Sequence, residues 1–176
     1  NMKTILIFGG SQGSLFINQT MSKIIKDLSQ QKIQFIWQTG AKHYEKFKEF
    51  ETNTVKILPF IENMANAYAV SDLVICRSGA ITCSELTYCG KPSILIPLKN
   101  SAGNHQLKNA ESLSSKGAAL TIEESSFSKI EFKKIIKNLV HSESKLKKMN
   151  ANCIKLKYSN AATQISNYAL SLIKNV

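Results

Sequence analysis

Two short stretches of this 176-residue chain carry residue types and spacings suited to holding an anion. The first, Gly9-Gly10-Ser11-Gln12-Gly13-Ser14, follows the apolar run Ile5-Leu6-Ile7-Phe8. The second, Cys76-Arg77-Ser78-Gly79-Ala80-Ile81-Thr82-Cys83-Ser84-Glu85, is entered through Leu73-Val74-Ile75. Each reads as a strand turning into a helix N-terminus, where unpaired backbone N–H groups and the positive dipole end favour negative charge. The first stretch has neither the Gly-Lys-Ser/Thr ending of a Walker A loop nor G-x-G-x-x-G spacing. Its glycines permit positive φ or close backbone approach, and Ser11 and Gln12 add neutral donors; a tight strand-to-helix turn explains the same residues without a ligand. The second stretch holds Arg77, the only arginine in a chain with 23 basic residues, a planar two-pronged donor beside the expected anion site. Taken alone, Arg77 is equally a surface arginine at a strand end.

Other side chains suit the rest of a nucleotide-sugar. Phe60, Ile61 and Met64 form an apolar ledge for a flat base. Glu85, one turn into its helix, can accept two hydrogen bonds from a ribose diol. Favourable charge near a helix N-terminus is the simpler reading of Glu85. Thr82, Gln106 and Asn109 can read sugar hydroxyls. The absences matter too. Asp27 and Asp72 are the only aspartates, so no D-x-D pair can hold a metal against a diphosphate, and no metal site or cofactor is expected. His43, His105 and His141 have no sequence neighbours that suggest a triad, and no catalytic base stands out.

The elements that must position these residues follow from periodicity. Apolar runs at 3–8, 33–39, 55–58, 73–76, 93–96 and 119–122 read as strands. Between them lie helical patterns: Ile17, Met21, Ile24, Ile25 and Leu28 on one face of a first helix, a short helix over 44–50, one capped by Asn63, one from Ile81 to Cys89 stopped by Gly90-Lys91-Pro92, and one over 105–116. Six strands alternating with helices predict an α/β fold, a doubly wound parallel sheet with right-handed crossovers. Ligands bind such sheets beyond the carboxyl ends of the strands, where the loops at 9–14, 77–80 and 97–104 should meet. From residue 128 the pattern is helical only. Ser128-Lys129-Ile130-Glu131 fits a capping box ahead of Phe132, Ile135, Ile136 and Leu139. A lysine-rich helix over 143–157 follows, then a last helix with Ile165, Tyr168, Ala169, Leu172 and Ile173 turned inward. No repeat or linker is visible, so residues 1–176 read as one domain with a helical C-terminal part over about 128–176.

Composition bounds the class. No apolar run approaches the ~18 residues of a membrane span, and the start passes straight into a strand, leaving no room for a signal peptide. Cys76, Cys83, Cys89 and Cys153 contain no C-x-x-C pair, which points to buried free thiols in a reducing compartment. The net charge of +11 is concentrated late: residues 129–157 hold nine lysines against two glutamates, and one aromatic residue, Phe132, which is too few for a stacking platform. That distribution suits a solvated or anionic-membrane-facing surface, and nucleic acid is not an expected partner.

These motifs resemble the C-terminal domain of the MurG glycosyltransferase family. The matching residues are Gly9-Gly10-Ser11-Gln12-Gly13 with Asn18, Phe60-Ile61-Glu62-Asn63-Met64, Cys76 to Thr82 with Glu85, Gly90-Lys91-Pro92, and His105-Gln106 with Asn109-Ala110. The resemblance spans most of residues 3–122; from Ser128 onward only the helical type matches. It implies the second half of a two-domain GT-B enzyme that transfers GlcNAc from UDP-GlcNAc to undecaprenyl-pyrophosphoryl-MurNAc-pentapeptide, lipid I, giving lipid II for peptidoglycan. It also implies a cytoplasmic location, peripheral on the inner membrane. By resemblance, Gly10, Ser11, Gln12 and Gly13 face the diphosphate, with Arg77 assisting or shaping the turn. Ile61 and Met64 lie at the uracil. Ala80, Ile81, Thr82, Cys83 and Ser84 form the helix start beside diphosphate and sugar. Glu85 binds ribose, and His105, Gln106 and Asn109 lie at the GlcNAc. The family often has a second glutamine or a histidine where His105 stands, and residues 99–104 lack the acidic residue common there. The glycine-rich loop, acceptor site, general base and membrane patch of the family's N-terminal domain have no counterpart in these 176 residues, and the chain alone is expected to be inactive. The residues also accommodate a UDP-sugar-binding subunit of another glycosyltransferase, or a basic non-enzymatic binding module.

Overall fold

The computed structural model describes residues 2–157 and 160–173. Asn1 and parts of the expected C-terminal helical region (158, 159 and 174–176) lie outside the described residues. Six strands, β1 (Lys3–Phe8), β2 (Ile33–Gln38), β3 (Val55–Leu58), β4 (Leu73–Cys76), β5 (Ser93–Leu95) and β6 (Ala119–Thr121), form one parallel sheet in the order β3-β2-β1-β4-β5-β6. Residue by residue, Phe8 lies opposite both Gln38 and Cys76, Gln38 opposite Leu58, and Cys76 opposite Leu95. The carboxyl ends of five strands therefore finish level on one edge. The chain reverses its direction of travel across the sheet between β1 and β4, and the crevice between their loops is the switch point where such folds receive ligands.

The strands are apolar on both faces because both faces are covered. Ile5, Ile7, Leu73 and Ile75 pack under α1 (Leu15–Ser22), α2 (Ile25–Ser29), α3 (Ala41–Phe47) and α7 (Lys129–Val140), with Phe132 and Ile136 fully buried there. Leu6, Phe8, Val74 and Cys76 pack under α4 (Met64–Val70), α5 (Ala80–Tyr88) and α6 (His105–Ser114). Helix α8 (Glu143–Lys155) serves both layers: Leu146 and Met149 join the first cluster and Cys153 the second. It also satisfies the helix ends far from the ligand edge. Asn150 Nδ2 donates to Gly90 O at 2.5 Å, and Asn152 Nδ2 donates to Gly117 O at 3.1 Å. These bonds occupy backbone acceptors just beyond the C-termini of α5 and α6.

Three local expectations change. The first helix breaks into α1 and α2 at Lys23–Ile24, where Ile24 has φ −129°. Met21, Ile24, Ile25 and Leu28 are all buried on either side of the break, so the apolar face read from the sequence is kept although the helix is not continuous. The helix expected over 44–50 starts earlier, at Ala41, and ends in a 3₁₀ turn, Lys48–Phe50. Helix α9 (Ala161–Ile173) forms but buries none of its residues: Ile165 and Tyr168 are exposed, so the inward face expected of it has no partner among the described residues. An amphipathic stripe encodes a face to be covered, not what covers it. The Ser128 half of the capping box is present, with Ser128 Oγ accepting from Glu131 N–H at 3.4 Å.

Of the four thiols, Cys76, Cys83 and Cys153 are buried and Cys89 is exposed. Burial pushes Cys83 and Cys153 up to about 11 from 9.0 and also raises Cys76 well above its ordinary value. A raised value means that the folded state keeps its proton. The stability gained by burying neutral thiols is therefore complete below pH 9 and lost as pH rises from about 9 to about 11. The thermal midpoint should be flat between pH 7 and 8.5 and fall above 9. At pH 8 the native chain should take one maleimide, on Cys89; rapid labelling of Cys83 or Cys153 would contradict this burial.

Candidate functional site

The loop at 9–14 is shaped as much by packing as by any ligand. Gly13 has φ +74°, and a Cβ there would sit 1.9 Å from Thr39 O, so only glycine lets the loop press against the turn after β2. Gly10 also has positive φ, +87°, but a Cβ would meet nothing within 4 Å, so this part of the loop faces open space. Gly13 N–H closes the turn on Gly10 O at 3.0 Å. Ser11 and Gln12 are exposed, with no side-chain hydrogen bond to the protein among the described residues. Ser14, which the motif carries along, caps α1: its Oγ accepts from Ile17 N–H. Asn18 is buried and structural, donating to Thr39 O at 2.9 Å and accepting from Trp37 Nε1 at 3.0 Å.

The start of α5 is left open by contrast. Gly79 offers no side-chain cap, and Cys83 N–H makes the first turn's bond, to Gly79 O at 2.9 Å. The N–H groups of Ala80, Ile81 and Thr82 have no hydrogen-bond partner among the described residues. Ile81 is 77% exposed, so water or an anion can reach these donors. Cys83 turns into the core, and Ser84 Oγ bonds back to Ala80 O. Glu85 is half-buried; Tyr68 O–H donates to its Oε2 at 2.9 Å, leaving Oε1 for another donor. Burial, with Cys76 and Glu85 nearby, raises the Tyr68 phenol well above its ordinary value, so it stays a donor. No sequence motif marks Tyr68 for this role, since Glu85 lies 17 residues further on. A groove of about 730 Å³ follows α5, lined by Met64, Tyr68, Ala80, Ser84 and Glu85 near the ligand edge and by Tyr88 and Leu156 at its far end. The glycine loop and Ile61 do not line it.

Arg77 is neither a surface residue nor an open anion donor. It is 8% exposed. Nη1 donates to Ile96 O and Pro97 O, both at 3.0 Å, and Nη2 donates to Ser14 Oγ at 2.8 Å. Nη2 also lies 2.5 Å from Glu124 Oε1, an ion-pair contact not aligned as a hydrogen bond. The guanidinium thus clamps the loops after β1, β4, β5 and β6 to one another. The reason is geometric: β4 is the central strand at the switch point, and a planar fork leaving it reaches loops on either side.

The remaining expected residues lie along the same edge. Ile61 is buried, its N–H held by Gln38 Oε1 at 2.7 Å. Asn109 Nδ2 donates to Ser78 O at 3.0 Å, and Ser78 Oγ donates to Gln106 O at 2.7 Å, so Asn109 ties α6 to the α5 turn. Gln106 Oε1 accepts from Leu98 N–H at 3.0 Å, while its Nε2 has no protein partner among the described residues. His105 Nδ1 lies 2.6 Å from Ala102 O at the exposed start of α6. Among the described residues, no three of His, Cys, Asp and Glu gather where they could hold a metal ion.

A 3-2-1-4-5-6 parallel sheet with an open glycine loop and an uncapped helix at its switch point is a nucleotide-binding arrangement, and here it matches the C-terminal half of the GT-B glycosyltransferase class. The chain belongs to the glycosyltransferase family 28 C-terminal domain family, whose model matches residues 4–165. It is 38% identical over 175 residues to the UDP-N-acetylglucosamine--N-acetylmuramyl-(pentapeptide) pyrophosphoryl-undecaprenol N-acetylglucosamine transferase of Chlorobium limicola, covering 98% of this chain and 48% of that protein. The transferase of the same name from Flavobacterium psychrophilum is 40% identical over 176 residues, with 99% and 48% covered. The crystal structure of Acinetobacter baumannii MurG superposes with a TM-score of 0.84 at 27% identity, over 100% of this chain and 53% of that one. The chain thus spans about half the length of the curated relatives it matches. Among the described residues no helix is long and apolar enough to cross a membrane.

Proposed function

We propose that this chain is the donor-binding half of a MurG-type transferase: it holds UDP-GlcNAc while the other half of the polypeptide presents lipid I and the general base at an anionic membrane surface. The observation that carries this reading is the open start of α5, three free N–H groups one turn before Glu85 and beside the loop at 9–14. The diphosphate lies across those donors with Gly10, Ser11, Gln12 and Gly13 on its other side. Ile61 and Met64 bound the uracil, the free Glu85 oxygen accepts from ribose, and Gln106 Nε2 with His105 reaches the GlcNAc hydroxyls. In the reaction the acceptor hydroxyl attacks the anomeric carbon from the face opposite the diphosphate. The bond from that carbon to the β-phosphate oxygen breaks, inverting the centre, and UDP leaves with the electron pair. The acceptor proton passes to a base outside this chain. Charge growing on the leaving diphosphate is met by the α5 donors, which are already oriented and need no rearrangement.

The test is a titration of UDP and UDP-GlcNAc followed through backbone amide resonances. Shifts are expected at residues 9–13 and 77–85, with none in α7 or α8. Silence in both loops would sink the assignment, and steady turnover of a lipid I analogue by these 176 residues alone would refute the division of labour.

A further inference from the structure

Gln38, the last residue of β2, is 3% exposed, and its carboxamide is used at both ends. Nε2 donates to Gly10 O at 2.9 Å, and Oε1 accepts from Ile61 N–H at 2.7 Å. Gly10 O is also the acceptor that closes the glycine turn on Gly13 N–H. The carboxamide therefore grips the atom that sets the turn's shape. At its other end it holds the segment leading into Asn63, which caps α4, and Met64, which lines the groove. The loops carrying Gly10 and Ile61 follow β1 and β3, which are separated by β2, and no backbone hydrogen bond joins these loops among the described residues. Gln38 is thus their direct hydrogen-bonded link.

We propose that Gln38 is a positioning residue that couples the diphosphate half of the donor site to its base half, an inference that rests on the UDP-sugar reading above. A buried amide with one donor and one acceptor engaged cannot move toward one loop without straining its bond to the other. An anion that fixes the turn at Gly10 therefore fixes Ile61 as well, and a base held at Ile61 fixes the turn. Such coupling is reciprocal, each ligand tightening the other by the same factor. It lets the two weak halves of a nucleotide bind as one unit, with the ordering of both loops shared.

The probes are uridine and inorganic pyrophosphate, titrated singly and together into the 176-residue chain and followed by amide resonances. In wild type, pyrophosphate alone should shift the amides of residues 10–13 and also Ile61, and saturating pyrophosphate should tighten uridine by about fivefold, the lower range for coupled sites. Gln38→Met keeps the length and removes both bonds. Gln38→Glu keeps the acceptor for Ile61 N–H but sets a carboxylate oxygen against Gly10 O. In both variants pyrophosphate should still shift residues 10–13 while Ile61 stays still, and the coupling factor should fall to about one. A purely structural role would weaken both probes and leave the factor unchanged. A folded variant that retains the factor, or a wild type that binds both probes with a factor of one, overturns the coupling while leaving the donor reading intact. The wild-type measurement decides even where a variant does not fold. No response of wild type to either probe overturns the donor reading, and the coupling with it.

Discussion

Glu85→Ala should weaken UDP by roughly 10- to 100-fold, the range for losing one or two hydrogen bonds to a charged acceptor. It should leave the affinity for inorganic pyrophosphate nearly unchanged. The two ligands should differ because, in the proposed donor pose, Glu85 reaches the sugar of the nucleotide, whereas the pyrophosphate lies on the α5 N–H groups and the glycine loop. Stability should change little, since Glu85 is half-buried and its protein partner among the described residues is Tyr68 O–H. Tyr68→Phe should act in the same direction and more weakly, about two- to tenfold, by removing the neutral hydrogen bond that holds Oε2. The check is calorimetry of UDP, its 2′,3′-dideoxy analogue and pyrophosphate against each variant. If the dideoxy analogue binds wild type as tightly as UDP, or loses as much as UDP on Glu85→Ala, the carboxylate is not reading the ribose diol.

The second large effect is on folding. Arg77→Ala deletes three hydrogen bonds and strands Glu124, whose side chain is 15% exposed beside a guanidinium that is 10% exposed. Breaking a buried pair from one side costs ~3–5 kcal/mol, because the remaining charge is left without its partner. For a domain of this size that lowers the thermal midpoint by roughly 6–20 °C. Arg77→Lys should recover part of the loss, since an ammonium can meet Glu124 but cannot also fork to Ser14, Ile96 and Pro97. The double variant Arg77→Ala, Glu124→Ala should be more stable than Arg77→Ala alone. Equal stability of the two would show that the orphaned carboxylate is not the source of the cost. Near wild-type stability for Arg77→Ala would return the residue to the solvent-facing role that its sequence position allows.

Much of the fold and the ligand edge is legible in the chain. The short apolar runs at 3–8 and 73–76 give strands buried on both faces, and the small residues after them give turns into helices. These features come from neighbouring residues, whose side-chain period and backbone preferences act over a few positions. The open start of α5 is legible for the same reason, because Gly79 and Ala80 carry no capping oxygen. The roles of Gln38, Tyr68 and Arg77 are of another kind. Gln38 gives one faint signal, a polar residue ending an apolar strand level with Phe8. Its partners lie 28 and 23 residues away, and those of Arg77 lie up to 63 away. Which loops these side chains meet is set by the 3-2-1-4-5-6 strand order, and that order arises from long-range packing of two apolar layers that no local pattern encodes. So the chain's own text marks two turns that run into helix N-termini. The packed sheet assigns its lone arginine to holding those turns together and leaves the N–H groups of α5 without a protein partner among the described residues.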